Sequence, residues 1–307
     1  MRGVRVLFAH GVVERKTDPL LERNFHRLAS FREVVGALRR LRTVTLDDLA
    51  EHLTSARRRP LMAALLTFDD GYANNFRAGE ILSAARIPFV VFVSTEAVGT
   101  TGTIWTAELS LLLLHGTGIR QVDLLGRRWP LRGRRSRVAT FEQVRRRFKA
   151  LPAAARSTAL AALRAQFPAG ETARLLEAFP AFRMLSWEGL RQIEADGARV
   201  GSHGADHEIH HAAQPEAVRR TELTRSYAAL TRRLGSPPLA FAFPNGDFTT
   251  SSAEEVRAAG YRLGFTIEPS VVWPEANPYL LPRLKLAASA VTFLRDFQAG
   301  RGRPITR

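Results

Sequence analysis

Two adjacent carboxylates, Asp69 and Asp70, follow an apolar run and precede a glycine in Thr67-Phe68-Asp69-Asp70-Gly71. Neighbouring residues in extended chain point to opposite sides. A turn at the strand end can bring both into one cavity, where their repulsion calls for a cation. An Asp-Asp-Gly turn bonded to its own backbone is the other reading. A second group is Gly201-Ser-His203-Gly-Ala-Asp-His207. Histidines at i and i+4 share a face where the segment is helical, a spacing that chelates metal. There is no cysteine, so any metal must be held by His, Asp and Glu. Two imidazoles and a carboxylate make a facial site with positions left open for water. His210 and His211 follow closely and are alternative ligands. A third group, Phe241-Ala-Phe-Pro244-Asn245-Gly246-Asp247, ends a strand in a Pro-Asn-Gly break. Its backbone N–H groups can be offered to a developing oxyanion.

These groups need a frame. The chain has 307 residues, 45% hydrophobic and 24% charged, the profile of a globular protein rather than a disordered one. Short apolar, β-branched runs predict strands at Val4–Ala9, Met62–Phe68, Pro88–Ser94, Ala198–Ser202, Leu239–Phe243, Leu263–Ile267 and Leu280–Leu286. Helical patterns alternate with them, at Leu20–Arg40, Leu46–His52, Ala73–Ala85, Trp187–Asp196, Glu216–Leu234, Ala253–Ala259 and Thr292–Gln298. The alternation predicts an α/β fold with a parallel sheet, a distorted or incomplete (β/α)7-type barrel. Residues 99–182 break the rhythm. They read as a basic, mainly helical insertion, with helices near Glu142–Ala150 and Ala153–Gln166, inside a single domain spanning 1–307. His10, Asp69-Asp70, Ser202-His203 and Pro244-Asn245 all fall at strand C-terminal ends, where barrels of this kind carry their chemistry.

The formal net charge is +16, and only Lys16, Lys149 and Lys285 are lysine among 45 basic residues. Residues 120–149 carry eleven basic side chains against Asp123 and Glu142. This segment can face an anionic or lipid-phosphate-linked substrate, or a membrane surface. Nucleic acid is not expected, because the stretch lacks regular aromatic interleaving, with Trp129, Phe141 and Phe148 only. The apolar run Val6–Ala9 is too short for a signal peptide, and no run reaches a membrane span. The reading is a cytoplasmic protein, with attachment at the membrane periphery left open.

In order and context, the three groups resemble the motifs of the polysaccharide deacetylases, the NodB-homology or carbohydrate esterase family 4 type. Thr67–Gly71 matches the first motif residue for residue. His203 and His207 match the His-x-x-x-His motif, with Gly204 where Ser or Thr is usual, and Phe241–Gly246 resembles the third motif without its usual arginine. The resemblance runs from about Val4 to Leu286, outside the insertion. It implies removal of N-acetyl groups from an amino-sugar glycan, with Asp69 as general base and Asp70, His203 and His207 holding a divalent metal, commonly zinc. The usual late Leu-x-His acid is missing, since no histidine follows His211. Leu7-Phe8-Ala9-His10-Gly11 is similar to the N-terminal motif of a permuted branch, with Ala where Tyr is more common, which makes His10 the general acid. Arg283, in Leu281-Pro-Arg-Leu-Lys-Leu286, follows the late pattern of those relatives and is placed to pair with Asp69. Asn245 and Pro244 are oxyanion or substrate candidates, and Trp105, Trp187 and Trp273 are candidates for sugar stacking, Trp105 foremost. A metal-dependent amidohydrolase acting on a small non-sugar amide would use the same residues.

Overall fold

The structure, a computed structural model, describes residues 3–55 and 61–299. Strand β1 (Val4–Ala9) is buried along its whole length. It is followed by β2 (Gly11–Val13), β3 (Phe25–Arg27), α1 (Leu28–Leu38), α2 (Leu46–Thr54) and β4 (Ala63–Phe68). Then come α3 (Asn75–Ala84), β5 (Phe89–Val93) and the inserted elements α4 (Trp105–His115), β6 (Gln121–Leu124), β7 (Arg127–Pro130), α5 (Arg134–Ala150), α6 (Ala153–Arg164) and α7 (Glu171–Ala178). The chain returns through α8 (Trp187–Ala195), β8 (Arg199–Ser202), α9 (Glu216–Leu234), β9 (Ala240–Ala242), α10 (Ser252–Ala258), β10 (Leu263–Phe265), β11 (Leu284–Lys285) and α11 (Ala290–Ala299).

Seven strands form one parallel sheet in the order β10-β9-β8-β5-β4-β1-β11. Helices cover one face and the curled sheet packs on itself at the other, so both faces are buried and the strands read as continuous apolar runs instead of alternating ones. On one side Leu66, Phe68, Val91 and Val93 pack against α1, α3, α8 and α11 through Phe31, Leu82, Ile193 and Phe293. On the other, Val6, Leu65, Phe92, Ala242 and Phe265 pack together, with Leu46, Leu49 and Leu53 of α2. The sheet curls until its ends approach: Leu281, just before β11, donates to Gly264 and accepts from Thr266, while Leu284 pairs with Leu7 of β1. The result is a distorted, incomplete seven-stranded barrel.

Several elements differ from the sequence pattern: α4 and α7 were not expected, and the expected strand Leu280–Leu286 is confined to β11. The expected helix over Leu20–Arg40 starts only at Leu28. Asp18 Oδ1 takes the N–H groups of Leu20 and Leu21, at 2.9 and 3.4 Å, holding a turn around Pro19. Phe25–Arg27 then pairs with β2. In the insertion, β6 and β7 form an antiparallel hairpin that helical reading missed. Its turn, Leu125-Gly126, has both φ angles positive, the primed turn that fits strand twist. The inserted elements share a core centred on Leu111, Leu112, Trp129, Phe148 and Leu163, which also takes in Phe25, Tyr72 and Ile209. No helix among the described residues is long and apolar enough to cross a membrane.

Candidate active site

The ends of β1 and β4 set the first side chains. Their register pairs Ala9 with Phe68, so His10 and Asp69 leave neighbouring strands at the same level, and Asp69 N–H donates to the Ala9 carbonyl at 2.9 Å. Past Asp69 the backbone turns through two left-handed residues, Asp70 (φ 76°) and Gly71 (φ 82°). That turn defeats the alternation of extended chain, and both carboxylates line one cavity of about 1210 Å³.

Asp69 and Arg283 are both buried and share a two-pronged ion pair, Nη1–Oδ1 at 2.7 Å and Nη2–Oδ2 at 2.8 Å. The guanidinium also donates to the Thr266 carbonyl (2.9 Å) and to Thr67 Oγ1 (3.0 Å), and it stacks over Phe8 at 5.1 Å. Burial alone would raise the Asp69 carboxyl, but Arg283, helped by His203, holds it below the usual range.

Asp70, His203 and His207 present donor atoms that all lie within 4.8 Å of one another, the group among the described residues able to hold a metal ion. The Nε2 atoms of His203 and His207 lie 3.4 and 3.2 Å from Asp70 Oδ1. His203 Nδ1 is 2.7 Å from the Ala242 carbonyl. A carbonyl only accepts, so Nδ1 carries a proton and Nε2 is the ring nitrogen turned toward Asp70. Burial pushes Asp70 up, yet His10, His203 and His207 outweigh it and hold it well below its ordinary value. The segment 203–207 is a turn, not the helix that would bring i and i+4 together. His207 itself is left-handed (φ 58°). Glu222 of α9 holds this turn by accepting from the N–H groups of Asp206 (2.9 Å) and Glu208 (3.3 Å). Gly204 has φ 86°, and an added Cβ would stand 2.8 Å from Glu222 Oε2. The carboxylate therefore occupies the room that the usual Ser or Thr would need. Among the described residues only five that are not glycine have positive φ, and Asp70, His207 and Asn245 are three of them; such strain clusters at functional sites.

His10 lines the same cavity, partly buried, with no hydrogen-bond partner for Nδ1 among the described residues. Burial pushes its imidazole down, against the pull of Asp70 and Asp69. Asn245 lines the cavity too, in a 3-10 turn with φ 60°. Its side-chain oxygen accepts from Lys149 and its amide donates to Asp247. Pro244 is buried and opens that turn without lining the cavity, so its part is to shape the backbone and not to touch substrate.

Trp105 lines the cavity but is also tied into its wall. It is 8% exposed, its ring lies beside Phe148 and under the Arg156 guanidinium (4.6 Å), and its Nε1 donates to the His207 carbonyl at 2.8 Å. The indole fixes the histidine turn. Trp187 and Trp273 lie outside the cavity lining. His210 is fully buried between Phe241 and Phe243, pushed down to about 3 by burial, and His211 faces the Leu151 carbonyl.

The basic insertion meets the site through a different part than its arginine density suggests. Arg132, Arg134 and Arg135 line a separate cavity of about 600 Å³. Arg134 is tied to Asp18 at 2.7 Å, and Arg137 to the Leu113 and Gly116 carbonyls. The basic side chains of α5 that line the main cavity are Arg145, Arg146 and Lys149, beside Phe141 and Glu142. Lys149 and His26 were not legible as site residues. The only signal was their type, a rare lysine and a histidine outside any motif.

The curled parallel sheet thus presents, at its strand ends, a donor group that could hold a metal ion. A family model for polysaccharide deacetylases matches residues 57–264, more than half the sequence, and the chain belongs to that family of hydrolases. Solved structures share the fold. IcaB from Ammonifex degensii is 20% identical over 97% of each chain, with a TM-score of 0.63. The Streptococcus pyogenes deacetylase PplD, solved with acetate, is 13% identical over 95% of this chain and 97% of its own, at 0.62. A de-N-acetylase from Aggregatibacter actinomycetemcomitans is 13% identical over 96% and 99%, at 0.56. A search of curated proteins finds no match.

Proposed function

We propose that the chain is a metal-dependent N-deacetylase of an amino-sugar glycan, with Asp69 as base, His10 as acid, and Asp70, His203 and His207 holding a divalent ion, zinc by preference. The observation that carries this reading is one cavity lined by a carboxylate clamped ionised, a partly buried histidine and a buried Asp/His/His group. The donor set fits the ion. Two imidazole nitrogens and a carboxylate oxygen face one another, and the His203 tautomer leaves Nε2 free to ligate. When bound, a divalent ion supplies Lewis acidity, polarising the acetyl carbonyl and making a water easier to deprotonate.

The rest falls to the chain. Arg283 keeps Asp69 charged and fixes its plane, so the carboxylate is ready to take the proton of the attacking water. His10, when protonated, gives its proton to the departing amine, without which the amide nitrogen is a poor leaving group. Asn245 borders the cavity, and its backbone N–H is the donor for the oxyanion. Products are acetate and a free amino sugar. The cavity, at about 1210 Å³, exceeds what a small amide needs and favours a glycan.

The test is acetate release from a panel of N-acetylglucosamine oligomers and small N-acetyl amides, before and after chelation and restoration of zinc. Release from the oligomers that chelation abolishes and zinc restores is the expected result. Hydrolysis confined to the small amides would replace the glycan reading.

A further inference from the structure

Arginine outnumbers lysine so heavily in this chain that Lys16, Lys149 and Lys285 are its only lysines, and all three line the active-site cavity. They come from three separate places: the turn after β2, the end of α5 and strand β11. Beyond Asp69 and Asp70, the lining carries eight Lys or Arg side chains and three acids. Those acids are already engaged. Glu142 accepts from Arg145 at 2.7 Å and from Arg23 at 3.4 Å, Asp247 accepts from Asn245, and Asp296 pairs with Arg295 at 3.1 Å.

Lys16 and Lys285 have no ion pair among the described residues; Lys285 reaches only the Asn24 side chain, at 3.4 Å. Glu22, the acid nearest in effect to Lys16, is occupied by the Asp18 N–H at 3.0 Å. The cations face one another. Burial lowers Lys285, and Arg23 and Lys16 lower it further; burial and then Arg145 bring Lys149 down to about 8. His26, buried between them, is pushed to about 4 by burial and by Lys16 and Lys285. Such a cluster repels itself unless an anion completes it.

We propose that Lys16, Lys285 and Lys149, with Arg23 among them, form an anion subsite beside the Asp70/His203/His207 group, which takes a phosphate carried by the amino-sugar substrate. A phosphate brings more charge than one carboxylate and several acceptor oxygens, which suits several separate cations. Lysine is a compact, strongly hydrated point charge, able to follow a tetrahedral anion where a planar guanidinium is committed to one fork. This subsite deepens the deacetylase reading and rests on it for the sugar, but its binding is measurable without turnover.

The experiment is a titration of the zinc-loaded protein with N-acetylglucosamine 1-phosphate and with N-acetylglucosamine, at low and high salt. In parallel, sedimentation is measured with phosphatidylglycerol and with phosphatidylcholine vesicles. The wild type is compared with Lys16→Ala/Lys285→Ala and with Lys16→Arg/Lys285→Arg, whose positions are partly exposed and outside the hydrophobic core. The expected result is that the sugar phosphate binds about tenfold or more tightly than the neutral sugar at low salt. That preference is lost in the alanine pair, where metal content is unchanged, and partly kept in the arginine pair. Equal binding of the two sugars overturns the subsite, as does a preference that survives in the alanine pair. So does lysine-dependent binding confined to phosphatidylglycerol vesicles, which would make the cluster a membrane contact. Loss of acetate release from every N-acetylated sugar, with the phosphate preference intact, would overturn the deacetylase reading and leave the subsite standing.

Discussion

Arg283 and Asp69 lie 214 positions apart in sequence, yet both guanidinium nitrogens meet both carboxylate oxygens, at 2.7 and 2.8 Å, in a fully buried pair. The arginine comes from the segment that joins the two ends of the curled sheet, so closing the barrel and charging Asp69 are the same event. Arg283→Ala leaves burial opposed only by the nearby histidines, which raises the Asp69 pKa. The acid limb of the pH–rate profile should move to higher pH and kcat should fall by ~10²-fold or more. Breaking the pair should also cost about 3–5 kcal/mol of stability. Arg283→Lys retains the charge but not the fork, and should fall between the two in both respects. An acid limb unchanged in the alanine variant would show that the pair is structural only.

Removal of any one of Asp70, His203 or His207 should lower bound zinc well below one per chain, measured by elemental analysis after dialysis. His210→Ala and His211→Ala should keep it, since His210 is sealed between two phenylalanines and His211 turns to a backbone carbonyl. Full zinc in Asp70→Ala would remove the aspartate from the ligand set.

Glu222 gives a stability prediction with a defined sign. Burial raises its pKa from 4.5 to about 7 in the folded chain. Between those values the folded state binds more proton than the unfolded one, so stability falls as pH rises. Glu222→Gln lacks that titration. The stability of the glutamine variant relative to wild type should therefore climb from pH 4.5 to 7, by on the order of 3 kcal/mol across the window. Parallel denaturant midpoints at both ends of the window would contradict it.

Much of this was legible in the residues. Strands β4 and β5 are buried on both faces and so wrote themselves as unbroken apolar runs, and the Pro244–Gly246 turn was written in residue types. The hairpin β6–β7 was not, because its turn uses Leu125-Gly126 in place of Asn-Gly and it sits in an arginine-rich stretch. The start of α1 was obscured by Asp18, whose local turn at Leu20 and Leu21 is held in place by His115 and Arg134 from the distant insertion. At the site, Asp69, Asp70, His203 and His207 were readable by type and order. Trp105 was readable as important, but not as the group that pins the His207 carbonyl. Lys149 reaches Asn245 from 96 positions away, a contact set only by how the insertion docks.

The central claim is that Asp69 and His10 act as base and acid on an N-acetyl group beside the Asp70/His203/His207 group. The measurement is acetate and free-amine release from an N-acetylglucosamine oligomer by zinc-loaded wild type, Asp69→Asn and His10→Ala, with zinc content measured on the same samples. The account predicts equal amounts of acetate and amine from the wild type. It predicts kcat lower by ~10²–10⁴-fold in each variant, full zinc in both, and loss of the alkaline limb of the pH–rate profile in His10→Ala. Near wild-type turnover in either variant at full zinc occupancy would contradict it.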